Sequence, residues 1–469
     1  MFGLLQKGET VPPGLENLLL MSLRSPFLDD SKVYCPMSNL YLKSYINREA
    51  PNTKVTLGDD NYDLTDLSKF ESYDGIGLSV MTPQREEMIK LVRALRTKWP
   101  KKKLIVGGPH VKHYTEEVVS LGEFDYIVPL DGERPLTKIC RGEAEGIVLT
   151  DIMSKEDIGN APRPDRTSEN AMQVIRGYHY RLNNRDATTM MTSRGCPMGC
   201  TFCEDAKTIA KWSKLDNLKR EMEDVRALGY GGVYLFDDLF AIAMPTVKPI
   251  CEELKKRDLI YRCNGQANFF TKWGEDFARL LGGTGCVEIA FGHESGSQKI
   301  LNNVDKRTTV EQNYRSVQWA KKHGIKVKSF LMIGLPGEDD ETIKATEEFI
   351  KNAGMEDFQL AVYYPYKGTQ IRDAIDRGEQ GFDLQFEGEG LGAYGQKGGS
   401  SESVVRTKRF TSKELLKIRD ELVRKYRPQS HGPKWQEDHF FDTAHAEEIK
   451  EMGGCGSREK PTTLTIKGS

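Results

Sequence analysis

Short apolar runs alternate with longer segments of helical periodicity through the first 375 residues, which predicts an α/β protein built on parallel sheets. In the first 150 residues, Lys54–Leu57, Gly75–Val80, Lys103–Val106 and Tyr126–Pro129 read as strands. Each gives way to a loop: Gly58-Asp59-Asp60, Ser79–Pro83, Gly107-Gly108-Pro109-His110 and Asp131-Gly132-Glu133. In a doubly wound sheet such loops lie at the carboxyl edge, where ligands bind. Pro162, Pro164 and mixed charge mark residues 151–185 as a linker. From 186 to 375 a strand followed by a helix recurs six times, with strands expected at Thr188–Thr192, Val233–Phe236, Tyr261–Gly265, Val287–Phe291, Lys328–Ile333 and Gln359–Tyr363. Six such units predict an incomplete barrel. The glycine-rich stretch Gly381–Gly399 predicts a long loop or lid, Ser412–Tyr426 a helix, and the polar stretch from Gly453 to Ser469 a disordered tail. The expected fold class is a Rossmann-like doubly wound domain (1–150), the linker (151–185), a partial (β/α)6 TIM-type barrel (186–375) and a small, mostly helical lid or substrate region (376–452), followed by the tail (453–469).

Composition narrows the function classes. With 67 Lys and Arg against 69 Asp and Glu, the net charge is −2, so neither a nucleic-acid footprint nor a polybasic membrane patch is expected. No apolar run approaches membrane-spanning length, and Met1-Phe2-Gly3 leads into no secretory signal. Nine cysteines, an odd number without framework spacing, suit a reducing compartment. The expected location is the cytoplasm.

The most informative stretch is Arg194-Gly195-Cys196-Pro197-Met198-Gly199-Cys200-Thr201-Phe202-Cys203. Its C-x₃-C-x₂-C spacing puts three soft ligands on one tight loop, enough for three irons of a [4Fe–4S] cluster, with the fourth iron open to a non-protein ligand. Structural zinc wants four ligands, usually as two pairs, and no second C-x-x-C exists here.

This loop resembles that of the radical S-adenosylmethionine (SAM) superfamily, in which the open iron chelates the amino and carboxylate groups of SAM. The resemblance implies that Cys196, Cys200 and Cys203 hold the metal cluster. It also implies further SAM contacts at later strand ends. Asp237 or Asp238, in Phe236-Asp237-Asp238-Leu239-Phe240, would hold the SAM amino group, although either aspartate also suits a helix N-cap. Gly292-His293-Glu294-Ser295-Gly296-Ser297 is similar to the family's G-x-E-S-G-S element, so Glu294 would bond the ribose or sit near the methionyl group, with Ser295 and Ser297 adding polar contacts. Lys306 matches a lysine seen downstream in relatives. The Ile333-Gly334-Leu335-Pro336-Gly337-Glu338 turn would flank adenine through Gly334 and its neighbours, and Phe202 would pack beside it. Tyr363–Thr369 is like the Y-P-x-x-G-T stretch of the family.

Gly77-Leu78-Ser79, Gly107–His110 and Asp125–Glu133 resemble the cobalamin-binding domain fused ahead of many radical SAM enzymes. This implies corrin contacts from Ser79, Gly107, Gly108, His110, Gly132 and Glu133. The D-x-H-x-x-G signature of a cobalt-ligating histidine is absent, so cobalamin is expected without a protein histidine on the metal. The radical SAM methylthiotransferases need three more cysteines ahead of the loop, and only Cys35 and Cys140 are there. Cys251, Cys263, Cys286 and Cys455 are too dispersed for an auxiliary cluster.

The implied function is that of a cobalamin-dependent radical SAM enzyme. It would cleave SAM reductively to a 5′-deoxyadenosyl radical and methylate an unactivated carbon of a small-molecule or peptide substrate. The implied cofactors are the [4Fe–4S] cluster, SAM and cobalamin. The electron would come from a donor such as flavodoxin or ferredoxin, with neither membrane nor nucleic acid as partner. The alternatives are a cobalamin-dependent cyclase or oxidative enzyme, or a non-catalytic iron–sulfur sensor. No residue is singled out as the chemical catalyst.

Overall fold

The computed structural model describes residues 14–24, 32–58, 61–379, 384–386 and 403–427. Asp59 and Asp60, all of the expected lid except 384–386, and everything after 427 (Cys455 and the tail included) lie outside the described residues.

The N-terminal unit is a five-stranded parallel sheet of β1 (Asn17–Ser22), β2 (Lys54–Gly58), β3 (Gly75–Ser79), β4 (Lys103–Gly107) and β5 (Tyr126–Val128), in the order β2-β1-β3-β4-β5. The sequence reading anticipated β2 to β5 and missed β1, the strand between β2 and β3. Leu18 and Leu20 of β1 enter the core on one face of the sheet, while Leu19 and Met21 enter the core on the other. A strand covered on both faces shows no polar alternation, so its apolar run cannot be told from a buried helix by period alone. The strand order reverses between β1 and β3. Chains there leave the sheet in opposite directions, and the crevice that results is where such folds take ligands.

Residues 151–185 carry the helices Lys155–Asn160 and Glu169–Arg176, each begun by a serine, Ser154 or Ser168, whose side chain accepts a backbone N–H of the first turn. They lead into a hairpin of β6 (Tyr180–Leu182) and β7 (Arg185–Met190), turned by Asn183 and Asn184 at φ 49° and 64°. A two-residue pair, β8 (Ser193–Arg194) and β9 (Lys211–Trp212), then clasps the base of the cysteine loop. β10 (Gly232–Leu235), β11 (Ile260–Gly265), β12 (Cys286–Glu294), β13 (Lys326–Ile333) and β14 (Asp357–Val362) follow, alternating with helices. The seven-stranded sheet runs β14-β13-β12-β11-β10-β7-β6, with β7 and β10 to β14 parallel, and β14 and β6 remain as open edges. It is the partial barrel expected. A small antiparallel pair, β15 (Leu384–Phe386) and β16 (Val405–Thr407), and the helix Ser412–Tyr426 complete the described chain.

The two sheets are docked through buried polar contacts. Tyr41 Oη donates to Met191 O at 3.0 Å, and Thr189 Oγ1 donates to Cys35 O at 3.2 Å. Arg166, fully buried, pairs with buried Glu221 at 2.8 Å and joins the connecting segment to the first barrel helix. No described helix is long and apolar enough to cross a membrane.

Candidate active site

The cysteine loop leaves the sheet at the carboxyl end of β7 and is held by other strand ends. Gly195 takes φ +93°, and a Cβ there would lie 2.7 Å from Ile209 O, so only glycine fits the first turn. Thr201 N donates to Val304 O, and Ile371 N donates to Thr201 O, both at 3.1 Å, so the loop is pinned to elements beyond β12 and β14. Cys196, Cys200 and Cys203 pack with Met198, Phe202 and Leu239 and line one cavity of about 300 Å³. Burial pushes all three thiols up, Cys203 to about 12, so a bound cation is what would make them thiolates. Soft donors around a cavity fit an iron–sulfur cube.

Alternate residues of the barrel strands form the floor: Tyr234 of β10, Asn264 of β11, Ala290 and Gly292 of β12, and Phe330 of β13. Tyr234 Oη donates to Asn264 Oδ1 at 3.1 Å, and Asn264 Nδ2 donates to Asp237 O at 2.9 Å. Sequence reasoning placed Gly292 in the G-x-E-S-G-S element but missed Tyr234, Asn264, Ala290 and Phe330, because their signal is only the two-residue period of strands whose faces it could not assign.

The expected SAM residues divide into those at the cavity and those behind it. Asp238, Glu294, Phe202 and Lys306 line it. Asp237 does not. Fully buried, it accepts from Thr192 N at 2.7 Å, Thr192 Oγ1 at 2.5 Å and Ser193 Oγ at 2.6 Å, and so ties β10 to the root of the cysteine loop. Burial outweighs those three bonds and pushes its carboxyl up to about 6. Asp238 points the other way, and among the described residues it accepts only from Gly195 N, at 2.7 Å. Burial, with Asp205 nearby, raises its carboxyl above the usual range.

Ser295, Ser297 and Gly334 also fall outside the cavity lining, against the expectation. Ser295 Oγ bonds Thr346 Oγ1 at 3.0 Å and accepts from Ser297 N at 3.0 Å, so both serines organise the turn into the next helix. Gly334, at φ +84°, packs under Leu415 and Val405, and its N–H donates to Glu338 Oε2 at 3.1 Å. Glu294 reaches the cavity because the β12–β13 register slips between Gly292 and Glu294 and Glu294 takes φ +62°. Its Oε1 lies 2.6 Å from Lys306 Nζ, with both side chains buried. Lys306 Nζ also stands 5.8 Å from the Phe202 ring centroid.

A second cavity, of about 330 Å³, opens at the switch point between β1 and β3. Leu20, Gly77, Ser79, Gly107 and Gly108 form its sheet-edge wall, with Gly132 and Glu133 beside them. A Cβ at Gly77 would lie 2.7 Å from Leu20 Cδ2, and one at Gly108 (φ +100°) 2.7 Å from Val80 N. A glycine-lined, largely apolar sheet edge fits a flat macrocycle such as a corrin. Of the cobalamin residues expected, His110 alone is not there. It is buried, bonded through Nδ1 to Thr82 Oγ1 at 3.2 Å and stacked on Tyr114, because the helix Pro109–His113 turns its side chain away from the sheet edge. Burial lowers it to about 4, leaving a neutral ring. Glu133 accepts from Arg194 Nη2 at 2.7 Å, a partner that sequence reasoning did not provide.

The two cavities share a wall. Asp238 lines both, and with Gly108, Leu130, Asp131 and Arg194 it also lines a third cavity that opens beside the cysteine loop.

Comparisons with known proteins agree with this layout. The family model of the radical SAM superfamily matches residues 190–350 and that of the B12 binding domain matches residues 43–139, together more than half of the chain. The chain is 24% identical over 407 residues to an uncharacterized methyltransferase of Pyrococcus horikoshii, PH0819, covering 82% of this chain and 85% of that one. It is 22% identical over 335 residues to the anaerobic magnesium-protoporphyrin IX monomethyl ester cyclase of Rubrivivax gelatinosus, covering 66% and 60%. Its fold is similar, at a TM-score of 0.63 and 18% identity, to the radical SAM methyltransferase TsrM from Kitasatospora setae, solved with cobalamin and a [4Fe-4S] cluster bound, over 80% of this chain and 81% of that one. This chain is a radical SAM superfamily enzyme with an N-terminal B12-binding domain, and its cofactors are a [4Fe–4S] cluster, SAM and cobalamin.

Proposed function

We propose that this enzyme methylates a carbon of an organic substrate at the junction of its two cofactor cavities. The supporting observation is the shared wall: Asp238 faces both the cysteine cavity and the cavity on the N-terminal sheet edge. When bound, the cluster with SAM supplies a radical able to take hydrogen from an unactivated carbon, and cobalamin supplies a transferable methyl group.

In this reading Cys196, Cys200 and Cys203 hold three irons. Asp238 accepts the SAM ammonium, since its carboxylate has one backbone donor and Asp237 is fully engaged elsewhere. Lys306 holds Glu294 toward the ligand, and Phe202 closes the side of the cavity. The corrin lies against Ser79, Gly107, Gly108 and Gly132, while Glu133 positions Arg194. His110 is bonded to Thr82 and stacked on Tyr114 behind the sheet edge, which supports cobalt without that histidine as its ligand. The PH0819 and TsrM likenesses support methyl transfer. The five described cysteines outside the loop form no disulfide, which supports a reducing cytoplasm, and a cluster that must be reduced before it cleaves SAM supports a protein electron donor such as flavodoxin or ferredoxin.

Anaerobic purification from cobalamin-fed cells is expected to yield about four irons and one corrinoid per chain. Cys196→Ala, Cys200→Ala and Cys203→Ala should each abolish the cluster absorbance and 5′-deoxyadenosine formation. Unchanged iron content and turnover in all three would overturn the assignment. Likeness to the cyclase supports ring formation as a second reading. SAM labelled in its methyl group separates the two, because only methyl transfer leaves the label in the product.

A further inference from the structure

The third cavity, of about 570 Å³, is larger than either cofactor cavity and lies between the two sheets, beside the cysteine loop. Its rim carries Leu130 from the N-terminal unit, Ile152 from the connecting segment and Ile209 from the barrel side. These side chains are 39%, 65% and 61% exposed. Large aliphatic side chains left in water around one opening mark a surface that a ligand covers.

Most of the charges around this cavity are already engaged. Lys112 pairs with Asp205 at 2.8 Å and Arg194 bonds Asp131 and Glu133 at 3.4 and 2.7 Å, while His113, which burial lowers to about 4 and so leaves neutral, lies 3.5 Å from Glu204. Asp238 holds Gly195 N and faces the cluster side. Among the described residues lining it, only Lys211 has a charged side chain with neither hydrogen bond nor ion pair. The cavity therefore offers a ligand one uncommitted cation beside an apolar rim.

We propose that this cavity receives the organic substrate, and that the substrate is an amphipathic acid. Its apolar body lies on Leu130, Ile152 and Ile209, and its carboxylate or phosphate pairs with Lys211 Nζ. The proposal rests on the function given above and adds the substrate class. A polyanion such as RNA would need several free cations, and one is present. A cationic amphiphile would meet Lys211, and Asp238, the lining carboxylate held by a backbone N–H and no cation, is the one assigned to the SAM ammonium.

Isothermal titration calorimetry on anaerobic protein loaded with cluster and cobalamin tests this, with decanoate, decyl phosphate, decanol and decyltrimethylammonium as probes. The two anions should bind at least tenfold more tightly than the alcohol and the cation, and the stronger anion identifies the headgroup. Lys211→Gln should erase that preference and Lys211→Arg restore it, while Ile209→Ser weakens all chains that bind. An anion affinity unchanged in Lys211→Gln, equal binding of the cation, or loss of probe binding on cobalamin loading would each overturn the proposal. The last result would assign the cavity to the corrin. Iron, corrinoid and SAM binding measured on the same samples separate the two levels. A fully loaded protein without anion preference overturns the substrate class alone, and a protein that takes up neither iron nor corrinoid overturns the function beneath it and this proposal together.

Discussion

Arg194 Nη2 lies 2.7 Å from Glu133 Oε1, so the residue two places before the first loop cysteine is anchored on the edge of the other sheet. Its guanidinium also stacks 5.4 Å from the Tyr41 ring centroid. One side chain thus ties the root of the cysteine loop to the wall of the N-terminal cavity. Glu133 sits almost fully out of water, at 4% side-chain exposure, so breaking the pair strands a buried charge.

Arg194→Ala is therefore expected to destabilise the protein by about 1–3 kcal/mol, the cost of leaving a charged acceptor without its partner. Corrinoid and iron content should fall together in the purified variant. Urea denaturation and metal analysis check this, and Arg194→Lys should recover only part of both, because an ammonium cannot reach Asp131 and Glu133 as a fork does.

The Glu294–Lys306 pair is shut in more tightly, at 2.6 Å with side-chain exposures of 9% and 8%. Removing one partner, as in Glu294→Gln or Lys306→Met, is expected to cost about 3–5 kcal/mol. The double variant should cost less than the sum of the two, which a double-mutant cycle in urea measures. Glu294→Gln should also weaken SAM binding at least tenfold, read by equilibrium dialysis, while Cys196, Cys200 and Cys203 still take up iron.

Glu338 gives a pH prediction remote from the cysteines. Burial pushes its carboxyl from 4.5 up to about 7, against bonds from Thr342 Oγ1 and the N–H groups of Gly334 and Leu335. Between those two values the folded protein binds more protons than the unfolded chain, so this residue's contribution to stability is lost as pH rises from 4.5 to 7. At 1.36 kcal/mol per pH unit the loss is on the order of 3 kcal/mol. Glu338→Gln should flatten this part of the pH–stability curve, and denaturation series at pH 5 and pH 8 decide it. An equal wild-type-to-variant difference at both values would refute the assignment.

Gly108 tests the corrin cavity without touching the loop. With φ at +100° and a Cβ due 2.7 Å from Val80 N and 2.8 Å from Val80 O, Gly108→Ala must shift the strand end. The left-handed backbone adds about 1–2 kcal/mol of strain. Corrinoid content should drop at least tenfold, by absorbance after reconstitution, with four irons per chain retained. Loss of iron instead would show that the two cavities do not load separately.

Much of the architecture was readable along the chain because its signals are local. The spacing Cys196, Cys200, Cys203 marks a metal loop by itself, and strand runs ending in Gly107-Gly108 or Asp131-Gly132 mark a sheet edge by their turn chemistry. The six barrel strands were found within a few residues, since each apolar run is bounded by helices of different period. Thr192, the expected end of β7, stands beyond it because its backbone N–H donates to Asp237 Oδ1 instead of the ladder.

What depends on facing and distance had no local signal. β1 is buried on both sides, so its Leu-Leu-Leu-Met run carried no period to read. Asp237 and Asp238 are neighbours of one residue type, and only the fold turns the first inward to Thr192 and Ser193 and leaves the second on the wall between the cavities. His110 stands in a ligand-like loop, yet the short helix that begins at Pro109 carries its ring behind the sheet edge. The union of Arg194 with Glu133 spans 61 residues and two sheets. Composition and spacing along the chain determined which chemistries this protein can hold. Which groups meet was decided only by packing, because burial selects one orientation among side chains whose local preferences are the same.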